Sequence, residues 1–345
     1  MKESLATFYR PKTFDEVVGQ DITVKILKQQ LKTKTFSHNY LFCGPSGDGK
    51  TTLARIFANE LNNGEGTPIE VDAASNNGVD NVRNIIEDSA TRAIDAVYKV
   101  IIIDEAHMIS IQGWNAFLKT IEEPSAYTIF IFCTTDPQKI PDTIQNRVTR
   151  FNLNRISNNL IADRLRYICK NESYTNYDEA CDFIAKISNG GMRDAITTLE
   201  KCSGFSTDLC ITNVIQSLGN FSYEVFINIT NALIDKNDVE ALRVISEQFD
   251  KGADLKIFIE QYLDFILNVN KYILFKDINL TNIPKSLEKT ADDEDGIAYL
   301  VNFGGSEKFF KLLADKILDL KNVLKYDTMP KVTIEINIMQ ICRGL

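Results

Sequence analysis

The sequence predicts an α/β P-loop domain on a parallel sheet, followed by two all-α regions. Three observations carry this. An apolar run at 40–43, a glycine loop Gly44-x-x-x-x-Gly49-Lys50-Thr51 and a helical pattern (Leu53, Ile56, Phe57, Leu61) follow in that order. Residues 97–103 are almost continuously apolar, as in a parallel strand covered on both faces, and end in Asp104-Glu105. Beyond about residue 155, glycine and strand signals thin out and amphipathic helical spacing takes over.

Taken in order, residues 8–20 hold Pro11 and Gly19, which argue against one regular element, and aromatic and Val side chains that suit either a core or a flat ligand. Residues 22–34 have helical spacing (Val24, Leu27, Leu31). In the glycine loop, Gly44, Gly47 and Gly49 let the backbone curl so that N–H groups face phosphate oxygens. The helix that follows adds its N-terminal dipole, Lys50 can reach the β- and γ-phosphates, and Thr51 can ligate Mg²⁺. A polar turn at 62–67, a strand at 68–71, a loop at 72–78 and a helix at 79–94 come next. Asp104 closes the buried strand at the binding edge of an open sheet, where it suits Mg²⁺ through water, and Glu105 suits the attacking water. His107 reads as a packed or capping residue. A helix at 110–122 and a strand at 128–133 lead to Thr134-Thr135-Asp136, which can sense the γ-phosphate if that strand neighbours the Asp104 strand; Asn146-Arg147-Val148 follows on a short helix. Helices are expected at 157–171, 177–188 and 192–202, then, after a change near Leu218-Gly219, at 222–235, 238–250, 254–274, 307–325 and 328–343, with an acidic loop at 288–295.

The 345 residues are enough for two or three domains, and 44% hydrophobic with 25% charged residues is ordinary for a globular chain. No apolar run approaches a membrane span and no secretory signal is visible, so a cytosolic protein without a membrane partner is expected. Seven scattered cysteines without a C-x-x-C pair read as buried free thiols, and two histidines leave little for zinc. A net charge of −9 is unusual for a protein that binds nucleic acid alone, so DNA would meet a local patch or one member of an assembly.

Seven segments then fall in order: 10–20 (Arg-Pro-Lys-Thr-Phe-Asp-Glu-Val-Val-Gly-Gln), 44–51, 72–75 (Asp-Ala-Ala-Ser), 104–108 (Asp-Glu-Ala-His-Met), 118–124 (Leu-Lys-Thr-Ile-Glu-Glu-Pro), 134–139 (Thr-Thr-Asp-Pro-Gln-Lys) and 191–195 (Gly-Met-Arg-Asp-Ala). With them the chain resembles the gamma/tau subunits of bacterial DNA polymerase III, which are AAA+ clamp loader ATPases, and is similar to the small subunits of replication factor C. The resemblance is specific over 8–200 and weak beyond. It implies an AAA+ domain at 1–154, a helical lid at 155–218 and a helical collar for oligomerisation at 219–345. It also implies a DNA-dependent ATPase, without a polymerase active site, that opens a sliding clamp and loads it on primed DNA during replication. The implied cofactors are ATP and Mg²⁺. The implied partners are other loader subunits in a pentameric ring, the clamp and primer-template DNA, in the cytoplasm of a bacterium or, if phage-encoded, of its host.

By the same resemblance, nucleotide is held by Val17, Val18, Gly44, Pro45, Ser46, Gly47, Asp48, Gly49, Lys50, Thr51, Thr52, Asp104 and Arg193, with Tyr9 and Arg10 at the edge of the adenine pocket. Thr51 and Asp104 serve the metal; Lys50, Glu105, the sensor Thr134 (Thr135 as fallback), the lid's Arg193 and the finger Arg147, aimed at a neighbouring subunit's ATP, serve catalysis. Arg83, Lys139 and Thr143 match DNA-backbone positions, although each alone reads as a solvated surface residue. Two departures stand out: residues 61–67 bridge the place of the family's four-cysteine zinc module, so no zinc is expected, and Asn146-Arg147-Val148 replaces the usual Ser-Arg-Cys. The tau-type extension is expected to be absent after Leu345. The alternatives are a structural ring subunit with little turnover, or another AAA+ motor for branch migration or helicase loading; a P-loop small-molecule kinase fits less well.

Overall fold

Parallel pairing of five short strands builds the sheet that carries the candidate site. The structure is a computed structural model and describes residues 3–219, 221–288, 296–299, 301 and 306–344. The chain divides into two compact units, Met1–Ile168 with Ile184–Glu200, and Cys169–Phe183 with Lys201–Leu345.

In the first unit, α1 (Leu5–Phe8) and α2 (Asp21–Thr33) precede β1 (Asn39–Cys43) and α3 (Lys50–Leu61). Then come β2 (Ile69–Asp72), α4 (Val79–Ser89), β3 (Lys99–Asp104), α5 (Ile111–Glu122), β4 (Thr128–Thr134), α6 (Asp142–Gln145) and β5 (Thr149–Asn152). Helices α7 (Asn158–Asn171), α8 (Asp178–Ile187) and α9 (Met192–Phe205) each supply residues to both units.

The strand order is β2-β3-β4-β1-β5, all parallel, with Asn39 opposite Phe130 and Ile103 opposite Phe132 in register. The period-two alternation of buried strands separates two cores. Tyr40, Phe42, Ile102 and Ile131 face Leu27, Leu53 and Phe57, while Leu41, Ile101, Phe130 and Phe132 face Trp114 and Phe117. Trp114 packs its ring on Phe117 and Phe132, and its truncation to Ala would cost about 3–5 kcal/mol. After β1 the chain crosses to the far strand β2 and works back through β3 and β4, while β5 lies on the other side of β1. The crevice for a ligand therefore opens at the carboxyl end of β1, where the glycine loop sits.

Three local expectations are corrected. The helix expected to reach 94 ends at Ser89, where the N–H groups of Ala90 and Thr91 turn to the carbonyls three residues back, at 3.2 and 3.1 Å, and Lys99 Nζ caps that end by donating to the Asp88 carbonyl and to Thr91 Oγ1. The strand expected from 97 starts at Lys99, leaving Val97 exposed. Arg147 sits not on a helix but in the turn between α6 and β5. Strand β5 and helix α10 (Ile211–Ser217) lacked a clear sequence signal.

The second unit is helical: besides α10 it holds α11 (Tyr223–Ile234), α12 (Asp238–Asp250), α13 (Leu255–Phe275), α14 (Ile297–Tyr299), α15 (Glu307–Leu324) and α16 (Pro330–Gly344). Side chains of Ser222, Asn237, Asp254 and Ser306 accept backbone N–H bonds at the starts of α11, α12, α13 and α15, satisfying donors that a helix cannot. The core between them is aromatic, with Phe226, Phe258, Tyr262 and Phe265 ring on ring, and the Tyr262 and Thr230 hydroxyls bonded at 3.0 Å inside it. Of the acidic loop expected at 288–295, all but Glu288 lies outside the described residues. No helix among the described residues is long and apolar enough to cross a membrane.

Candidate nucleotide site

The glycine loop curls because Gly47 and Gly49 take φ of 77° and 99°, a region that side chains rarely adopt. A Cβ on Gly47 would lie 3.1 Å from the Gly191 Cα, and the Gly47 carbonyl accepts from Met192 N–H at 3.0 Å, so the loop is laced to the start of α9. On the other side, the Gln20 amide donates to the Asp48 and Asn154 carbonyls. Lys50 opens α3 almost fully buried. Its ammonium donates to the Gly44 carbonyl at 2.9 Å, the Pro45 carbonyl at 2.6 Å and Asp48 Oδ1 at 3.2 Å.

At the strand ends, Thr51 Oγ1 donates to Asp104 Oδ2 at 2.7 Å, and Glu105 N–H donates to Asp104 Oδ1 at 3.0 Å. Glu105 takes φ of 48°, which turns the chain at the end of β3. Strands β3 and β4 are neighbours, so their ends meet: Thr135 Oγ1 donates to Glu105 Oε2 at 3.3 Å. Thr134 is fully buried, with its hydroxyl accepting from Asp136 N–H at 3.0 Å and lying 3.3 Å from His107 Nδ1. His107 Nδ1 also lies 3.4 Å from Glu105 Oε2. The histidine expected to be incidental thus joins the two strand ends.

One cleft gathers most of the expected residues: Val17, Val18, the loop from Ser46 to Thr52, Asp104, Glu105 and Arg193. Tyr9, Arg10 and Met192 of the 191–195 segment line it too, as do Arg164, Ile156 and Ile196, which the sequence did not single out. Arg164 donates to the Tyr9 carbonyl at 3.0 Å and stacks over Tyr167. Burial lowers the pKa of Arg10, helped by the positive charges of Arg55 and Arg193 and opposed by Glu70 and Asp104. The cleft therefore has apolar walls near Val17 and Ile196 and a cationic side near Arg10 and Arg193, a combination that suits a purine and a polyphosphate.

Gly44 and Pro45 do not line the cleft; their carbonyls hold Lys50 instead. Thr134 also lies outside its lining. So does Arg147, whose Nε donates to Glu122 at 2.7 Å and whose Nη1 donates to the Thr143 carbonyl at 2.7 Å. Arg83 and Lys139 are exposed, each paired locally, with Asp80 at 3.4 Å and Asp136 at 3.2 Å. The residues present fit the groups that the fold implies. Oxygen donors from Thr51 and Asp104 suit Mg²⁺, which keeps most of its water and takes few protein ligands, and the position of a Cβ on Gly49 is open space, as a loop that receives phosphate needs. No cluster of three or more metal-ligating side chains exists among the described residues.

Residues 65–157 match the family model of the DNA polymerase III delta subunit, and residues 210–293 match domain III of DNA polymerase III subunits gamma and tau. The chain is 35% identical to the DNA polymerase III subunit tau of Bacillus subtilis, over 99% of this chain and 63% of that protein. It is 30% identical to the tau subunit of Escherichia coli, over 76% of this chain and 44% of that one. The chain thus spans less than two thirds of either relative. Among solved structures, the RuvB Holliday junction branch migration motor of Thermotoga maritima aligns over 65% of this chain and 80% of its own with a TM-score of 0.52, at 21% identity, a likeness of fold.

Proposed function

We propose that this chain, which belongs to the gamma/tau family of DNA polymerase III subunits, is an ATP-hydrolysing motor subunit of a sliding-clamp loader that acts on primed DNA in the cytoplasm. The observation that carries this reading is the 2.7 Å bond from Thr51 to Asp104, which joins the start of α3 to the end of β3 within the cleft that Arg193 also lines.

On this reading Val17, Val18 and Tyr9 flank the adenine, and the N–H groups of the glycine loop receive the phosphates. Lys50 and Arg193 place positive charge where the transferred phosphoryl group develops negative charge. Thr51 and Asp104 would hold Mg²⁺, which would supply Lewis-acid neutralisation of the phosphate oxygens. Glu105 orients the attacking water, and Thr135 holds Glu105 in place while His107 ties it to Thr134. Arg147 lies outside its own chain's cleft and is assigned to the ATP of a neighbouring subunit in a pentameric ring. Residues 1–154 form the AAA+ domain, 155–218 act as its lid and 219–345 as the collar that assembles the ring. Exposed Arg83, Lys139 and Thr143 meet the DNA backbone, which positions the duplex without reading its sequence.

The test is steady-state ATP turnover by the protein copurified with its partners, with and without primed DNA and candidate clamps. Stimulation by DNA and clamp together is expected. ATP binding without turnover under every condition would assign the chain a structural place in the ring.

A further inference from the structure

The phosphate loop holds a carboxylate, that of Asp48, inside itself. Its side chain is about 1% exposed, with Oδ1 3.2 Å from Lys50 Nζ and Oδ2 buried without a hydrogen-bond partner. The carboxylate occupies the space that a side chain at position 44 would take: a Cβ on Gly44 would fall 1.9 Å from Asp48 Oδ2. An ammonium has three N–H donors, and those of Lys50 are matched by the Gly44 carbonyl, the Pro45 carbonyl and Asp48. To meet a phosphate, Lys50 must release partners, and Asp48 is the charged one among them.

We propose that Asp48 is a built-in competitor for Lys50, a positioning residue that holds the lysine away from incoming phosphates and thereby weakens nucleotide binding. This rests on the nucleotide-site reading above. When Lys50 turns to the phosphates, the buried carboxylate loses its ion-pair partner and faces added negative charge. It answers by taking a proton from solvent, so that binding consumes a proton. Burial raises the pKa of Asp48 even in the free loop, and the Lys50 ammonium opposes the rise. The other ionisable groups that act here are Cys43 and Cys133, with Arg150 beside Cys43 and Asp104 and Glu105 acting on Cys133. The thiols of Cys43 and Cys133 are themselves pushed up by burial and stay neutral, so Lys50 remains the cation paired with Asp48.

The test is calorimetric titration of Mg·ATP into the full chain and into Asp48→Asn, from pH 6 to 8.5. Asp48→Asn is expected to bind about tenfold or more tightly at pH 8, the weight of one hydrogen bond to a charged group, and the advantage narrows toward pH 6. The ATP's own ionisation cancels in that ratio. Titrations at pH 7 in buffers of different ionisation heat should show net proton uptake by the natural chain and none by Asp48→Asn. Weaker or unchanged binding by Asp48→Asn would mean that Asp48 only shapes the loop, and would overturn the inference. Should that variant fail to fold by circular dichroism, the proton count of the natural chain decides alone: uptake supports the inference and zero overturns it. Absence of Mg·ATP binding by both proteins at every pH would instead remove the nucleotide reading and this inference with it.

Discussion

On the strand side of the cleft, Thr51 and Asp104 already meet at 2.7 Å, and Glu105, Thr135 and His107 are linked to one another. On the loop side, Lys50 is turned inward onto Gly44, Pro45 and Asp48. Of the groups assigned to metal and water, Asp104, Glu105 and Thr135 lie at the ends of neighbouring parallel strands, which cannot drift apart without breaking the β3–β4 ladder, and Thr51 reaches Asp104 from the start of α3. Lys50, the group assigned to phosphate, is instead held by its own loop, and would have to exchange partners to act. On the proposed reading, preorganisation on one side favours the chemical step, whereas competition on the other sets how tightly nucleotide is held.

This contrast can be broken from both sides. The largest effect is expected on the strand side. Glu105→Gln should lower turnover by about 10²- to 10⁴-fold while leaving nucleotide binding intact, as measured by single-turnover hydrolysis beside a binding titration. Retained turnover would remove Glu105 from its role. On the loop side, Lys50→Ala should raise the Kd for ATP by about a hundredfold, because it removes the cation that would meet the phosphates. A smaller effect separates the two threonines. Thr134→Val should cost about 1 kcal/mol of stability in a denaturant titration, since the Asp136 N–H loses its acceptor, whereas Thr135→Val should lower turnover with stability unchanged. This pattern would make the fallback Thr135 the sensor, and the reverse pattern would keep Thr134 in that role.

The smallest expected effect is a pH dependence of stability. Asp48 has a folded-state pKa above its ordinary value, so the folded chain binds that proton more tightly than the unfolded one. The contribution is fully present below the ordinary carboxylate range and is lost as pH rises through the shifted value. Asp48→Asn should therefore flatten the fall in thermal midpoint across that window, read by differential scanning calorimetry of the nucleotide-free protein. An unchanged slope would assign the pH dependence elsewhere.

Much of this arrangement was legible in the residues. A strand, a glycine loop and a helix around Gly44–Thr51, and an acidic pair after an apolar strand, are local patterns that fix their own geometry. The inward turn of Lys50 was not legible, because Asp48 meets it only once the loop has curled under Gly44. Arg164 and His107 reach the site through packing between distant segments, 155 residues apart for Arg164 and Tyr9 and 27 for Thr134 and His107. Strand β5 is four residues long, and only Phe151 is buried, so its alternation was too short to stand out. The end of α4 carries no glycine or proline stop signal, and the cation that caps it comes from Lys99, ten residues beyond Ser89. In the helical part beyond 218, amphipathic spacing marked the long helices and their caps, but a helical pattern carries no motif that names a role.

The claim at the centre is that this chain hydrolyses ATP with an arginine supplied by its neighbour. The most direct measurement is turnover by assemblies carrying Arg147→Ala, compared with the unaltered assembly and with the isolated chain, while nucleotide occupancy is followed in the same samples. The account predicts full occupancy in all three, rapid turnover only in the unaltered assembly, and a fall of about 10³-fold or more in the variant. Equal turnover by the variant assembly, or by the isolated chain, would contradict it.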